Sequence, residues 1–102
     1  IELLLTKLNI VAPIQIRANL NLRDVDSISS KWHVDYPDIP NNKTAIFYLN
    51  NNNGKTIVDD NGKHTEVDSK ENRMLIFDGD IKHKAKYQTD VHKRYLLNIN
   101  YV

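Results

Sequence analysis

Four side chains are of the types that bind a metal ion and an organic anion. His33 and Asp35 are two positions apart in "WHVDYP", His83 follows fifty positions later, and Arg94 lies eleven positions beyond it. Imidazole nitrogens and carboxylate oxygens are ligands of first-row divalent metals. A guanidinium can clamp a carboxylate through two parallel hydrogen bonds. The residue types alone therefore allow a metal centre beside an anion-binding arginine.

The spacing of the first pair suits a chelate on a β-strand. His33 and Asp35 fall within the predicted strand 31–36, where alternate side chains point to the same face. His83, at the start of another predicted strand, would be the third ligand. Two histidines and one carboxylate form the facial triad, which holds Fe(II) on one side and leaves the opposite positions open. The alternative is ordinary polarity, in which His33 caps a strand, Asp35 starts a turn and His83 lies on the surface.

The predicted strand 93–101 separates its side chains into two faces. One face carries Arg94, Leu96, Asn98 and Asn100, and the other carries Tyr95, Leu97, Ile99 and Tyr101. An arginine that faces a barrel interior is costly unless it meets an anion. The alternative is an exposed arginine next to Lys93.

Short β-like runs divided by Asn, Asp, Gly and Pro clusters predict an all-β sandwich or barrel of about eight strands. The predicted strands are 13–20, 31–36, 43–50, 54–59, 63–68, 72–78, 83–89 and 93–101. Residues 1–9, "IELLLTKLN", fit either the end of an amphipathic helix or an edge strand. The first predicted strand resembles the last one, with Ile14, Ile16, Ala18 and Leu20 opposite Gln15, Arg17 and Asn19.

Composition narrows the classes of function. The chain has 102 residues, which is one domain, and it is 40 % hydrophobic with a net charge of +1, so no strong field favours nucleic acid or a membrane. With no cysteine, a metal must use His, Asp or Glu. No apolar run is long enough to span a bilayer and no signal peptide is recognisable, so we expect a cytoplasmic protein.

The order of these motifs resembles the Fe(II)/2-oxoglutarate-dependent dioxygenases, in particular their prolyl-4-hydroxylase-like branch. The resemblance covers roughly residues 14–102 and is carried by "IRANLN", "WHVDYP", "TAIFYLNNNNG", "NRMLIFDGDIKH" and "KRYLLNINY". It implies a double-stranded β-helix, a relative of the jelly roll. It also implies an oxygenase that uses Fe(II), 2-oxoglutarate and O₂, hydroxylates a substrate and releases succinate and CO₂.

The resemblance also implies roles for individual residues. The Fe(II) ligands would be His33, Asp35 and His83, and Arg94 would pair with the distal carboxylate of 2-oxoglutarate. Two further positions, Asn19 and Tyr48, match places where such enzymes put polar contacts to the cosubstrate. Asp35 favours hydroxylation, because the halogenating relatives lack this carboxylate. The substrate would be a peptidyl side chain such as proline, or a small molecule.

The chain departs from the family at its beginning. Such enzymes carry a helical region before the barrel, and residues 1–102 would be the core domain without it. Either the sequence is a fragment whose missing N-terminal part covers the apolar face of Leu97, Ile99 and Tyr101, or a homodimer buries that face. Two alternatives stay open: a non-catalytic jelly-roll or cupin-like binding module, and a cupin metalloenzyme that does not use 2-oxoglutarate.

Overall fold

A computed structural model describes residues 13–23 and 29–102 of the chain. These residues form seven strands: β1 (Pro13–Leu22), β2 (Lys43–Tyr48), β3 (Lys55–Asp60), β4 (Lys63–Asp68), β5 (Met74–Asp78), β6 (Lys82–Lys86) and β7 (Lys93–Tyr101). The prediction of an all-β fold is confirmed for this part of the chain. The helix or edge strand considered for residues 1–9 lies outside the described residues.

The strands form two antiparallel sheets. The larger sheet has the order β1-β7-β2-β5 and the smaller has the order β4-β3-β6. Consecutive strands lie side by side only in the hairpin of β3 and β4. The Asp59–Gly62 turn closes that hairpin, where Asn61 and Gly62 have positive φ and the amide of Gly62 donates to Oδ1 of Asp59. Four of the other five connections cross between the sheets, as expected for a jelly roll, and the connection from β1 to β2 joins two strands of the larger sheet.

The predicted strand 31–36 is not a regular strand. Within it only His33 forms an isolated antiparallel bridge to β6, with His83, and a second such bridge joins Ser29, just before the segment, to Lys86. The prolines at 37 and 40 and the turn over residues 37–41 draw the chain away from the sheet beyond this point. The segment therefore occupies the place of an eighth strand with only part of its hydrogen bonding.

The interior between the sheets is partly apolar and partly polar. A buried cluster joins the two sheets and contains Ile46, Tyr48, Val58, Phe77 and Leu96. Arg94, Asn98 and Asn100, from the same face of β7 as Leu96, are also buried. The predicted alternation of β7 therefore places the arginine inside the barrel, as expected from the period of a strand.

The outer face of the larger sheet is only partly covered. Ile99 and Tyr101 are buried within the single chain, so their burial needs no partner subunit, and the homodimer itself stays a prediction. The exposed apolar side chains of this sheet lie along β1, at the start of β7 and on β5: Ile16, Leu20, Leu22, Tyr95 and Ile76. The part of the chain that is described contains no helix long and apolar enough to cross a membrane.

Candidate metal and anion site

His33, Asp35 and His83 converge, as the sequence predicted. One potential ligand atom from each residue lies within 4.8 Å of those from the other two. Nε2 of His33 is 3.3 Å and Nε2 of His83 is 3.6 Å from Oδ1 of Asp35. Ligands about 2 Å from one ion lie roughly this far from each other. The three donors can therefore hold one metal ion without rearrangement of the backbone.

The backbone itself fixes the spacing of the two histidines. The amide of His33 donates to the carbonyl of His83, and the reverse bond is also made, each over 3.0 Å. The imidazole centroids are 4.3 Å apart. Nδ1 of His33 is 2.9 Å from the carbonyl of Lys31 and Nδ1 of His83 is 3.3 Å from that of Ile81. These carbonyls favour a proton on Nδ1, which leaves both Nε2 lone pairs free for a metal.

Asp35 is oriented by a neighbour on β7. Nδ2 of Asn100 donates to Oδ2 of Asp35 over 3.0 Å and to Oγ1 of Thr44 over 3.2 Å. Asn100 is 2 % exposed, so its amide cannot turn to water. One oxygen of the carboxylate is held in this way, and the other faces both histidines.

Burial adjusts the chemistry of His83. The side chain is 4 % exposed and lies 4.9 Å, between ring centroids, from Phe77. Desolvation lowers the pKa of His83 below its ordinary value, Asp35 opposes the change and His33 adds to it. His83 is therefore neutral at pH 7, the form in which imidazole binds a metal.

Arg94 is fully buried, and only one of its three guanidinium nitrogens has a hydrogen-bond partner among the described residues. Its Nε donates to Oγ of Ser69 over 3.0 Å, and that hydroxyl donates to the carbonyl of Gly54 over 2.8 Å. Both terminal nitrogens are buried and have no hydrogen-bond partner among the described residues. Desolvation lowers the pKa of Arg94, and Tyr48 and Tyr87 oppose the change. Two aligned donors without a partner form a binding point for a carboxylate.

The two histidine ligands and the arginine line one cavity of about 190 Å³. His33 and His83 lie in one wall, Arg94 lies at the inner end, and Arg17, Asn19 and Asn21 of β1 form the facing side. A larger cavity of about 540 Å³ lies beside the 36–43 loop, and its lining includes neither histidine nor Arg94. The smaller cavity is the candidate site because it contains the convergent polar groups.

The two other predicted cosubstrate contacts differ in position. Asn19 lines the cavity and is half-buried. Tyr48 is fully buried behind it, where its hydroxyl is 2.6 Å from Oγ1 of Thr56 and its ring centroid is 5.9 Å from Cζ of Arg94. Direct contact between either side chain and a cosubstrate stays a prediction.

Three residues of the site were missed in the sequence. Asn100 shares a face of β7 with Arg94, which is a signal that period-2 alternation contained. Ser69 and Gly54 contact Arg94 only because a loop after β4 returns to the start of β3, and nothing local in the sequence indicates it.

The comparisons with known proteins agree on the fold. No family model matches the chain, and no curated protein matches it. A prolyl-4-hydroxylase from Pseudomonas putida matches with a TM-score of 0.69 at 15 % identity, over 84 % of this chain and 50 % of that one. A 2OG-Fe(II) oxygenase family oxidoreductase from Burkholderia pseudomallei matches with a TM-score of 0.71 at 14 % identity, over 87 % and 44 % respectively.

A cupin protein from Bacteroides fragilis matches with a TM-score of 0.61 at 15 % identity, over 96 % of this chain and 72 % of that one. At such low identities these structural matches show the fold alone, and the predicted jelly-roll barrel is confirmed. The neighbours in fold include Fe(II)/2-oxoglutarate oxygenases, prolyl-4-hydroxylases among them. The chain spans about half the length of the two oxygenases.

Proposed function

We propose that this chain is the core of an Fe(II)- and 2-oxoglutarate-dependent oxygenase of the hydroxylase type. The observation that carries the proposal is the pairing of two features in one cavity. Three donors converge at His33, Asp35 and His83, and Arg94, with two buried and unpartnered nitrogens, lines the same cavity as the two histidines. A metal centre accounts for the first feature and a dicarboxylate accounts for the second.

The donor set fits Fe(II). Two neutral imidazoles and one carboxylate leave open positions on an octahedral ion, which suits a chelating cosubstrate and O₂. Bound iron would supply the coupling of O₂ reduction to oxidative decarboxylation of 2-oxoglutarate, which yields succinate, CO₂ and a hydroxylated substrate. The contribution of the chain is to orient the ligands and to exclude water.

The role of Arg94 follows from the cost of its burial. A buried donor without a partner is unfavourable by about 1 to 3 kcal/mol, and more when it is charged. The distal carboxylate of 2-oxoglutarate would supply the missing acceptors, with Ser69 holding Nε in place. Asn19 lies on the same side of the cavity and would add a neutral contact to this anion.

The substrate is proposed by analogy alone. Two of the solved structures similar in fold are named as prolyl-4-hydroxylases, which favours a peptidyl side chain such as proline. A small molecule is the other substrate class. We expect activity in the cytoplasm, without a membrane or nucleic acid as partner.

A cupin metalloprotein that does not use 2-oxoglutarate is the second candidate. It is favoured by the cupin from Bacteroides fragilis, of which the match covers a larger share than it does of either oxygenase. Such a protein needs the donors of the triad. A function of this kind does not explain why Arg94 faces inward with two terminal nitrogens that have no hydrogen-bond partner among the described residues.

Anaerobic addition of Fe(II) and 2-oxoglutarate tests the proposal. We expect a weak visible charge-transfer band that forms only when both are present. His33→Ala should abolish iron binding, whereas Arg94→Ala should retain iron and weaken 2-oxoglutarate. Lys63→Ala is the control, because Lys63 is exposed in the β3–β4 hairpin. Iron binding without the band, and without any effect of Arg94→Ala, would favour the cupin candidate.

A further inference from the structure

We propose that the primary substrate is an anion and that Arg17 binds its charged group opposite the metal ligands. The inference rests on the proposed function and specifies the substrate class of the same cavity. The observation behind the inference is that a second arginine, Arg17, lies in the cavity wall. Arg17 is on a different strand from Arg94 and at a different level along the sheet.

The register of β1 and β7 places the two arginines at opposite ends of the cavity. Asn21 pairs with Arg94, and Arg17 pairs with Asn98. Four residues of strand separate the two levels, which is about 13 Å between Cα atoms. Asn100, two residues beyond Asn98, bonds to Asp35. Arg17 therefore lies two residues along the sheet from the level of Asn100 and Asp35, and Arg94 lies four residues further in the same direction.

The charges of the occupied cavity leave Arg17 without a counterion. The two positive charges of Fe(II) and the one of Arg94 are cancelled by Asp35 and by the dianion 2-oxoglutarate. No Asp or Glu is present in the described lining of the cavity. Lys84 also contributes to the lining, but its ammonium lies 4.7 Å from the ring centroid of Trp32, which engages it. One uncompensated cation in the cavity wall attracts an anionic substrate.

The hydrogen-bonding state of the neighbours supports this assignment. Arg17 is exposed and forms no ion pair with any described residue. Asn98, its partner across the sheet, is 6 % exposed, lines the cavity and has no side-chain hydrogen bond within the described part of the chain. Gln15, in contrast, already accepts a bond from Tyr36 over 2.6 Å. Arg17 and Asn98 thus offer neighbouring donors in the cavity wall, where a carboxylate or phosphate of the substrate would lie.

The test uses the chain loaded with Zn(II), a redox-inert ion, and saturated with 2-oxoglutarate in a cationic buffer. Acetate is titrated against acetamide, which has the same shape without the charge, and inorganic phosphate is a second anion. Amide NMR signals report where each probe binds. We expect saturable shifts at residues 15–19 and 97–99 with acetate and phosphate and none with acetamide. Arg17→Met should weaken acetate binding by about tenfold or more.

Two controls separate charge from structure. Arg17→Lys keeps the charge and should lose less affinity than Arg17→Met, and Lys63→Met removes an exposed charge outside the cavity and should change nothing. Equal binding of acetamide, or acetate binding that is indifferent to Arg17→Met, would overturn the inference and leave the proposed function intact. Failure of the metal-loaded chain to bind 2-oxoglutarate at all would overturn both.

Discussion

Asn100 holds Asp35 from the side opposite the two histidines: its Nδ2 donates to Oδ2 of the carboxylate over 3.0 Å, and Oδ1 remains directed at their Nε2 atoms. Oδ1 is thereby left free to bind a metal, whereas Oδ2 is already hydrogen-bonded to Asn100. A carboxylate held in this way binds an ion through a single oxygen and leaves a coordination position open.

Asn100→Leu should weaken metal binding by about 10-fold to 100-fold, because the carboxylate loses the bond that orients it. Leu keeps the branched outline of Asn without a hydrogen-bonding group, although its two methyl groups are larger. Calorimetric titration with Mn(II) measures the effect. Thr44→Val removes only the second acceptor of the same amide and should have a smaller effect. Equal affinity for Mn(II) in Asn100→Leu and the parent would show that Asp35 keeps its orientation without this hydrogen bond.

Gly54→Ala should weaken 2-oxoglutarate while leaving the metal unaffected. A Cβ on Gly54 would lie 3.1 Å from Cδ and 3.2 Å from Nε of Arg94, and 2.8 Å from Oδ1 of Asn52. The arginine must shift, and misplacing a two-pronged donor costs affinity for its carboxylate. Binding of 2-oxoglutarate and of Mn(II) is measured separately, with Gly62→Asn in the exposed hairpin as the control. A parallel loss of both affinities would indicate general damage to the barrel.

Gly79→Ala should destabilise the fold by about 3 kcal/mol, because its Cβ would overlap Oδ1 of Asn42. That side chain cannot move away freely, since its Nδ2 donates to the carbonyls of Tyr36 and Ile39 over 3.1 and 2.7 Å. Urea denaturation measures the loss. Adding Asn42→Ala to Gly79→Ala should recover part of it, whereas Asn42→Ala alone should destabilise. Simple additivity of the two changes would exclude the overlap as the cause.

The metal-free protein should lose stability as the pH falls below about 6.5. The pKa of His83 is lowered in the folded state, chiefly by burial, so the unfolded chain takes up its proton first. The contribution of His83 is constant above the unfolded pKa and declines from there toward the folded pKa. Urea denaturation between pH 8 and pH 5 measures the slope. His83→Gln should show a shallower slope, and an unchanged slope would assign the pH dependence to other groups.

The predicted homodimer can be tested at the exposed apolar residues of β1. Leu20 is 52 % and Leu22 is 62 % exposed, and Leu20 pairs with the exposed Tyr95. If this face joins two copies, Leu20→Glu should shift the chain toward monomers in sedimentation velocity. Thr65→Glu, at an exposed position on the smaller sheet, is the control. A parent chain that sediments as a monomer at high concentration would contradict the prediction.

The sequence predicted the parts of the site that follow from alternation along a single strand. The inward direction of Arg94 and the common face of His33 and Asp35 both depend on the period of extended chain. The regular strand at 31–36 was predicted from the same residue types, but within it only His33 forms a bridge to β6, so local propensity was overridden by tertiary pairing.

The contacts that support the site could not be predicted, because they depend on how distant segments pack. Ser69 reaches Nε of Arg94 from a loop twenty-five residues earlier, and Asn100 reaches Asp35 across sixty-five. The covered position of Ile99 and Tyr101 likewise reflects packing that alternation alone does not contain.

The mutual backbone bonds of His33 and His83 have a consequence for proteolysis. Residues 29–35 are attached to β6 through isolated bridges rather than a continuous ladder, so this segment should open more readily than the sheets. A metal ion bound by His33, Asp35 and His83 would hold residues 29–35 against β6. Trypsin should accordingly cut the peptide bond after Lys31 in the metal-free chain, and this bond should resist cleavage once the metal is bound. Digestion therefore reports directly whether residues 29–35 are held against β6.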